Sequence, residues 1–270
     1  MGNDEVTPPR KTASRTTPAT DQSTETSSAL PFAHTLRSRQ REAGARRKGE
    51  RTRDRLKVAT VQVLEERGYL RLRVTDICRR ARVSPAAFYL YFKNKEEVTV
   101  EVLSEFLHDT FKLGSSHGRS RSLFEAIYEA NLAWVASVRA NPGLMRCVLQ
   151  LGDTVAEFKQ LAERVNHEWF ELVTRRLVAR FPGAAVDERV LLLAVHALGG
   201  MMDEFSRKVL VAREERLQPM VEATVPSDEA LAEFLSVLWY RALFAAEPDR
   251  VRYPASRALL ALGAIQGKTT

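Results

Sequence analysis

The sequence has few of the features that mark secreted, disulfide-bonded or membrane-spanning proteins. Only two of its 270 residues are cysteines, Cys78 and Cys147, which is too few for a disulfide framework in a chain of this length. The longest uncharged apolar run, Val190 to Met202, is interrupted by His196 and is too short to cross a bilayer. The N-terminus has neither the basic flank nor the apolar stretch of a signal peptide. We therefore expect a cytoplasmic protein that does not insert into a membrane.

Motifs for catalysis and metal binding are also missing. The segment His167-Glu168-Trp169-Phe170-Glu171 lacks the second histidine of the H-E-x-x-H zinc motif. The chain has no C-x-x-C motif, no glycine-rich phosphate loop and no nucleophile elbow, and its five histidines show no ligand spacing. We expect no enzyme activity, no metal and no cofactor. Cys78 is predicted to be a small buried hydrophobe, and a redox or electrophile sensor is an alternative for Cys147.

The positive charge is concentrated in one part of the chain. The net charge is +7, but residues 37–95 contain 18 basic and 6 acidic residues, whereas residues 96–270 contain 20 basic and 24 acidic ones. A basic block of fewer than about sixty residues in front of a mildly acidic body is expected if one small module binds a polyanion and the remainder has another task.

Two segments precede the first long helical pattern. Residues 1–36 are rich in Ser, Thr and Pro and have hardly any aliphatic side chains. Such a segment buries too little apolar surface to offset the entropy lost on ordering, so it is predicted to be a disordered tail. Residues 37–50 form a basic arm, which is either a solvated charge run or a flexible segment that lies along DNA.

Almost everything after Arg51 has helical periodicity. Apolar residues recur at three- and four-residue steps up to Gly68, a natural helix C-cap. Two short helices are predicted at Val74–Ala81 and Pro85–Tyr91, the second begun by Ser84 as N-cap. Similar start and stop signals predict six further helices, over residues 94–112, 122–139, 144–151, 156–181, 187–211 and 227–246. With no strand pattern and about nine helices, the chain is predicted to be all-α.

Residues 51–97 have the organisation of a helix-turn-helix domain. Two short helices are joined by a turn of three or four residues, with a longer helix behind them and a basic segment in front. The second short helix suits the major groove because Ala86 and Ala87 keep its leading face small, and its first N–H groups are available to a phosphate. Basic three-helix bundles without DNA also exist, so this pattern alone leaves that alternative open.

One motif within this domain is more specific. Phe88-Tyr89-Leu90-Tyr91-Phe92-Lys93-Asn94-Lys95 follows Val83-Ser84 directly, after Arg53-Asp54-Arg55-Leu56 and Val74-Thr75-Asp76-Ile77. Together these segments resemble the DNA-binding domain of TetR/AcrR-type transcriptional regulators, over about residues 51–100. The resemblance implies a small N-terminal helix-turn-helix domain followed by a larger helical ligand-binding and dimerisation domain.

The resemblance also implies candidate contacts with DNA. The first turn of the recognition helix would face the bases, the two tyrosines would lie at the backbone, and Lys95 would contact a phosphate, while Phe88 and Phe92 are expected in the core. The chain departs from the family where Arg73 replaces a threonine and Arg82 replaces a glycine, both of which add positive charge. The candidate DNA-binding residues are Arg53, Arg73, Thr75, Arg82, Ser84, Pro85, Ala86, Ala87, Tyr89, Tyr91 and Lys95.

Residues 98–246 are expected to sense a ligand and to form a homodimer, with residues 247–270 as a C-terminal tail. Gly199-Gly200 in mid-helix costs about 1 kcal/mol per glycine in helix propensity, which close approach of another helix would explain. Two apolar stripes suit either a four-helix dimer interface or an ordinary core within the chain: Leu191, Val195, Leu198 and Met202, and Leu231, Leu235, Leu238, Trp239 and Ala242.

The candidate ligand pocket is lined by large apolar side chains on the helices that, by the resemblance, surround the ligand cavity of the family. They are Phe111, Trp134, Met145, Leu149, Phe158, Trp169, Phe170 and Phe205, with Asn166 among them and Asn131, His167 and His196 as further polar groups. Such a lining favours a flat or lipid-like apolar ligand. The sequence therefore predicts a ligand-responsive regulator, a repressor released from a double-stranded DNA operator by a small apolar effector. The alternative is a helical scaffold or partner-binding protein that has the DNA-binding module and no effector.

Overall fold

The computed structural model describes residues 31–42, 47–115, 122–151, 154–181, 187–244, 247–248 and 250–263. Within these ranges the chain is helical and has no strand, so the all-α prediction is confirmed. The helices are α1 (Phe32–Glu42), α2 (Lys48–Arg67), α3 (Val74–Ala81), α4 (Pro85–Phe88), α5 (Lys95–Ser115), α6 (Leu123–Ala140), α7 (Pro142–Gln150), α8 (Ala156–Arg180), α9 (Glu188–Ser206), α10 (Gln218–Thr224), α11 (Asp228–Leu243) and α12 (Pro254–Gly263). None of the described helices is long and apolar enough to span a membrane.

Helix boundaries follow the capping residues. Gly68 ends α2 at a positive φ of 70°, and its N–H donates to the Leu64 carbonyl. The side chains of Ser122, Asp187 and Ser227 accept backbone N–H bonds at the starts of α6, α9 and α11, as predicted. Beyond Ser206, α9 continues as a π-helix over Arg207–Ala212, so the predicted helix to residue 211 changes its winding near its end.

The N-terminal helices pack around a small core. Leu56 of α2, Ile77 of α3 and Phe88 of α4 are fully buried there, and Phe92 joins them from the segment that leads into α5. A short 3₁₀ helix, Tyr69–Arg71, links α2 to α3. The long helix α5 begins in this core and extends into the C-terminal body.

The prediction of disorder up to residue 36 and of a flexible arm over residues 37–50 is wrong for residues 32–42, which form α1, and for residues 48–50, which form the first turn of α2. Phe32 and Leu36 are buried at a four-residue spacing, and the Phe32 ring meets Phe106 edge-on with centroids 5.4 Å apart. The Phe32 N–H donates to Asn141 Oδ1 at 2.7 Å. Arg39 pairs with Asp109 at 2.5 Å. These long-range partners order the segment; the predictions for residues 1–30 and 43–46 lie outside the described residues.

The C-terminal body is built on an antiparallel pair, α6 and α11. Asn131 Nδ2 donates to Ser236 Oγ at 2.9 Å near the middle of the two helices. Arg139, near the end of α6, pairs with Asp228 at the start of α11. Helices α5, α8 and α9 complete the layer around this pair. Much of the two apolar stripes is core within the chain, because Val195, Met202, Leu231, Leu235 and Trp239 are buried.

The C-terminal segment was predicted to be a tail, and this is wrong for α12. Ala255 and Ser256 of α12 are buried against the body. The carboxylate of Glu233, itself buried in α11, accepts the backbone N–H groups of Arg252 and Tyr253 at 2.8 Å. A buried carboxylate that accepts backbone N–H groups is a strong anchor, so the chain is held to α11 just before α12 begins.

The two halves of the chain meet where α2 crosses the start of α7. The carboxylate of Glu65 accepts the N–H groups of Gly143 at 2.7 Å and Leu144 at 3.0 Å, which would otherwise be unpaired at this helix end. Burial raises the pKa of Glu65, and the two N–H groups oppose that rise. A Cβ at Gly143 would lie 2.6 Å from the Leu64 carbonyl oxygen, so only glycine permits this approach.

Both cysteines are buried. Burial raises the pKa of the Cys147 thiol to about 12, and its Sγ donates to the Gly143 carbonyl. Because the thiolate is the reactive form, this environment disfavours the sensor role considered for Cys147.

Candidate nucleic-acid interface and ligand cavity

The predicted recognition helix is a single α-helical turn followed by a hydrogen-bonded turn. Ser84 Oγ accepts the N–H of Ala87 at 3.2 Å, and Pro85 occupies the first helical position. The helix ends at Phe88 rather than Tyr91, whose N–H donates to the Phe88 carbonyl at 2.9 Å. Phe88 and Phe92 are buried, as expected of core residues, and hold this turn against α2 and α3.

The outer face of the turn is exposed. Pro85 and Ala86 are open to solvent at its start, and Tyr89 is 58% exposed. Leu90, which the sequence reading did not single out, is 80% exposed beside it. A large apolar side chain next to a tyrosine on a protruding turn suits contact with a thymine methyl group or a sugar. The only sequence signal for Leu90 was its position between two tyrosines.

Three polar candidates also lie on the surface near this turn. Thr75 is exposed on the first turn of α3, and Arg73 is exposed immediately before it. Arg82 is exposed in the turn between α3 and α4, with φ at 55°, a left-handed conformation that glycine adopts more readily. Neither arginine has an ion-pair partner within the described part of the chain, so both positive charges are available to an anion.

Other predicted DNA contacts have partners within the protein. The Arg53 guanidinium pairs with Glu101, donates to the Tyr91 carbonyl at 3.1 Å and lies 4.5 Å from the Phe92 ring centroid. These contacts tie α2 to the turn and to α5, so the geometry favours a bracing role for Arg53. The Tyr91 side chain is half-buried beside Gly49 at the start of α2.

Lys95 also contacts its own domain. Its Nζ lies 4.5 Å from the centroid of the Tyr69 ring and 3.4 Å from the Leu72 carbonyl. Tyr69 in turn donates its hydroxyl to Glu96 at 2.9 Å. The lysine therefore ties the start of α5 to the segment between α2 and α3, and its contact with phosphate stays a prediction.

A cavity of about 540 Å³ lies between α5, α6, α8, α9 and α11. It lies within the size range of small-molecule sites. Five of the nine predicted pocket residues line it: Phe111, Trp134, Asn166, Trp169 and Phe170. Asn131, considered as a further polar group, lines it too.

The other four predicted pocket residues do not line this cavity. Met145 is fully buried in α7, and the Phe158 ring packs edge-on against Tyr69 with centroids 4.7 Å apart. Leu149 and Phe205 are partly buried against the core. The two histidines considered as polar lining lie outside it, with His167 Nδ1 3.1 Å from His196 Nε2.

One wall of the cavity is a stack of aromatic rings. The Phe111 ring lies parallel to Trp169 at 5.0 Å and nearly parallel to Trp134 at 6.1 Å. The Trp134 Nε1 donates to Ser206 Oγ at 3.0 Å, which fixes the orientation of its ring. Flat apolar walls of this kind suit a ring system or a hydrocarbon chain.

The missing side chain of Gly199 leaves space for the ring of Phe170, which lines the same cavity. A Cβ at this position would lie 2.0 Å from Phe170 Cζ, so the ring occupies the space of the missing side chain. The close approach predicted from Gly199-Gly200 therefore occurs within the chain at Gly199. Gly200 faces the other way, with no atom within 4 Å of its ideal Cβ.

The cavity also has charged lining residues that the sequence did not indicate, namely Glu129 on α6, Asp203 on α9, and Arg176 and Arg180 on α8. Burial raises the pKa of Asp203 to about 7, although Asn166 Nδ2 donates to its Oδ2 at 3.2 Å and lowers it. No spacing rule identifies this carboxyl group, because only the packing of α8 on α9 brings residues 166 and 203 together.

Comparison with known proteins identifies the N-terminal part. Residues 57–102 match the family model described as bacterial regulatory proteins, tetR family. A fatty acid metabolism regulator protein of Bacillus subtilis is 40% identical over 47 residues, 17% of this chain and 24% of that protein. The uncharacterized HTH-type transcriptional regulator YdgC of the same species is 31% identical over 84 residues, 31% of this chain and 38% of that protein. The chain thus spans less than half the length of these two relatives.

Solved structures share the architecture over most of their length. The fatty acid degradation regulator FadR from Bacillus halodurans superposes with a TM-score of 0.54 at 23% identity, covering 69% of this chain and 93% of that one. FadR from Bacillus subtilis in complex with stearoyl-CoA gives 0.54 at 17% identity, covering 70% and 98%. A tetR-family regulator from Streptomyces coelicolor gives 0.58 at 16% identity, covering 81% and 99%. At these identities the likeness concerns the fold alone.

Proposed function

The N-terminal domain of this chain is a helix-turn-helix domain of the TetR family of bacterial regulatory proteins, and from this premise we propose that the whole protein is a ligand-responsive transcriptional regulator. It acts in the cytoplasm as a repressor, and a small, largely apolar effector releases it from its operator. One observation carries the proposal: the same chain joins a TetR-family recognition turn to an aromatic cavity of about 540 Å³.

The exposed face of α4 and the turn after it would read DNA. Ala86 and Tyr89 would face the base edges and the backbone in the major groove. Arg73 and Arg82, which have no ion-pair partner among the described residues, would neutralise phosphates. Alanine makes no bidentate hydrogen bond to a base, so much of the sequence preference must come from other contacts and from DNA shape.

The effector would occupy the cavity, and its class would be that of long-chain acyl compounds. The stacked rings of Phe111, Trp134 and Trp169 offer apolar surface, and the cavity volume suits a ligand larger than a sugar. Similarity to a fatty acid metabolism regulator and to a FadR structure in complex with stearoyl-CoA supports this class.

Two structural links would carry the signal between cavity and DNA. Helix α5 begins at Lys95 in the DNA-binding domain and reaches the cavity wall at Phe111, roughly 24 Å further along its axis. The Glu65 carboxylate binds α2 to the N-terminus of α7. An effector that displaces Phe111 would therefore shift α5 relative to α2 and change the spacing of the recognition turns in a dimer.

A homodimer would form through the outward face of α9. Val190 and Leu193 are 64% and 71% exposed, and Ala197 and Gly200 continue the same stripe at helical spacing. Small residues in the stripe permit close contact with a second copy, and a two-fold dimer matches the two half-sites of a palindromic operator.

Selection of duplexes from a random library, followed by binding titrations, tests the proposal. We expect enrichment of a two-fold symmetric site that wild-type protein binds tightly. Ala86→Glu, which places a negative charge on the recognition turn, is expected to abolish binding. Met220→Glu adds the same charge at an exposed position of α10 and is expected to bind as wild type does. A protein that enriches no site, or an Ala86→Glu variant that still binds, would favour the scaffold alternative.

A further inference from the structure

The cavity has two chemically different ends along α8. Asn166 and Trp169 lie at one end, and Arg176 and Arg180 lie near the C-terminus of the helix. With a rise of 1.5 Å per residue, Asn166 and Arg180 are roughly 21 Å apart along the axis. A ligand that fills the cavity along this direction meets a different chemistry at each of its ends.

At the first end, a carboxyl group faces the cavity without a cation. Asp203 lines the cavity, and its Oδ2 accepts one hydrogen bond from Asn166. Its Oδ1 accepts none from any described residue, and no described arginine, lysine or histidine lies within ion-pair distance. Met202 and Phe170, next to it in the lining, are apolar. Asp203 is partly exposed, and a carboxyl group that faces an apolar cavity with one oxygen unpaired is stabilised when a bound molecule donates to it.

At the other end, two positive charges lie close together. Arg176 and Arg180 are four residues apart on α8, so they share one face of the helix. Both are exposed and both contribute to the cavity lining, and neither has an ion-pair partner in the ranges that the structure covers. Like charges at this spacing repel each other, and an anionic group bound between them relieves the repulsion.

We propose, on the basis of the proposed function, that the effector is a long-chain acyl compound with an anionic head at Arg176 and Arg180 and a hydroxyl group at its far end, bound by Asp203 and Asn166. A hydroxyl group both donates and accepts, so it pairs with the carboxyl group in either protonation state. An ammonium group pairs only with the carboxylate. A plain hydrocarbon end leaves the carboxyl group desolvated and without a donor, so Asp203 selects against it.

The tryptophans provide a direct assay of cavity occupancy. All three in the chain, Trp134, Trp169 and Trp239, line the cavity. Changes in intrinsic fluorescence on titration therefore report binding at this site. The probes are palmitate and ω-hydroxypalmitate, which differ only in the terminal hydroxyl group and have an anionic carboxylate at the opposite end of the hydrocarbon chain.

For wild-type protein, we expect ω-hydroxypalmitate to bind at least about tenfold more tightly than palmitate, the ratio expected for one hydrogen bond to a charged group. The Asp203→Leu variant should reverse the preference. The Glu163→Leu variant removes a carboxylate from the exposed surface of α8 and should keep the wild-type ratio. Circular dichroism establishes that each variant is folded.

Equal binding of the two probes to wild-type protein, tighter binding of palmitate, or no binding of either would overturn the assignment. So would an Asp203→Leu variant with an unchanged ratio. Release of operator DNA is measured separately. If palmitate binds as tightly as ω-hydroxypalmitate and releases DNA, the proposed function stands and only the binding of a hydroxyl group by Asp203 is refuted. If a probe binds as expected and DNA is not released, the proposed function fails instead.

Discussion

The adjacent glycines of α9 give a prediction with a built-in control. At Gly199, an added methyl group would lie 2.0 Å from Phe170 Cζ and 2.5 Å from Cε1, so the ring must move. Alanine gains about 1 kcal/mol in helix propensity over glycine. Overpacking a well-packed site costs about 1–3 kcal/mol, so Gly199→Ala is expected to destabilise the protein by up to about 2 kcal/mol. Because Phe170 lines the cavity, the variant should also bind effector more weakly.

Gly200→Ala is the matched control. Within one copy of the chain the same methyl group meets nothing within 4 Å, so in the monomer only the helix propensity acts and the variant should gain up to about 1 kcal/mol. In the dimer proposed above, Gly200 faces the second copy, so the comparison is made at a protein concentration at which both variants are monomeric. Urea unfolding followed by far-UV circular dichroism gives both midpoints, with sedimentation establishing the same oligomeric state in each sample. If Gly199→Ala proves as stable as Gly200→Ala and retains effector binding, the packing of α8 on α9 described above is incorrect.

Three further predictions concern buried polar groups. Glu65→Ala leaves two N–H groups of α7 unpaired, so the free energy of unfolding in urea should fall by about 1–3 kcal/mol. The variant should also show a smaller change in DNA affinity when effector binds. If that change is as large as in wild type, the contact of Glu65 with α7 does not transmit the signal. With its pKa raised to about 12, Cys147 should not react with iodoacetamide at neutral pH until the protein unfolds, and rapid labelling of native protein would disprove this. Burial raises the pKa of Asp203 from 3.8 to about 7, so its favourable contribution is present below the lower value and is lost as the pH rises through the upper one. Asp203→Asn should therefore be more stable than wild type at pH 8 but not at acidic pH, and parallel stability curves would contradict the assignment.

The helix-turn-helix domain could be predicted from sequence because its signals are local. Ser84 and Pro85 define the start of α4 through contacts within four residues, and Gly68 ends α2 in the same way. The roles of Arg53 and Lys95 were not predictable in this manner. Their partners, Glu101 and Tyr69, are far away in sequence, so the pattern gave no indication that these cations are engaged.

The ordered segments at both ends of the chain were missed because their stabilising partners lie elsewhere. Phe32 and Leu36 have helical spacing, but two apolar residues in a polar stretch are weak evidence without the contacts to Phe106 and Asn141. The segment before α12 likewise depends on Glu233 of α11, a charged residue that ordinary patterning places on the surface.

For the cavity, the type of a residue helped to predict whether it lines the wall, but its position in the sequence did not. Aromatic residues of α5, α6 and α8 were good candidates, and five of the nine predicted residues line the cavity. Met145 and Phe158 have the same apolar character but do not line the cavity, and the Phe158 ring instead meets Tyr69 of the N-terminal domain. Only the three-dimensional packing of the helices separates these two groups, and the packing of α8 on α9 likewise brings Asp203 to the cavity wall.

The central claim is that one chain binds DNA and is released by a molecule in the cavity. Its most direct test is a fluorescence-anisotropy titration of the selected duplex, repeated at increasing acyl-CoA concentration, with tryptophan fluorescence recorded in the same samples. The account predicts that DNA affinity falls in step with cavity occupancy and that an Ala86→Glu protein binds acyl-CoA but no DNA. Full occupancy of the cavity with unchanged DNA affinity would contradict it.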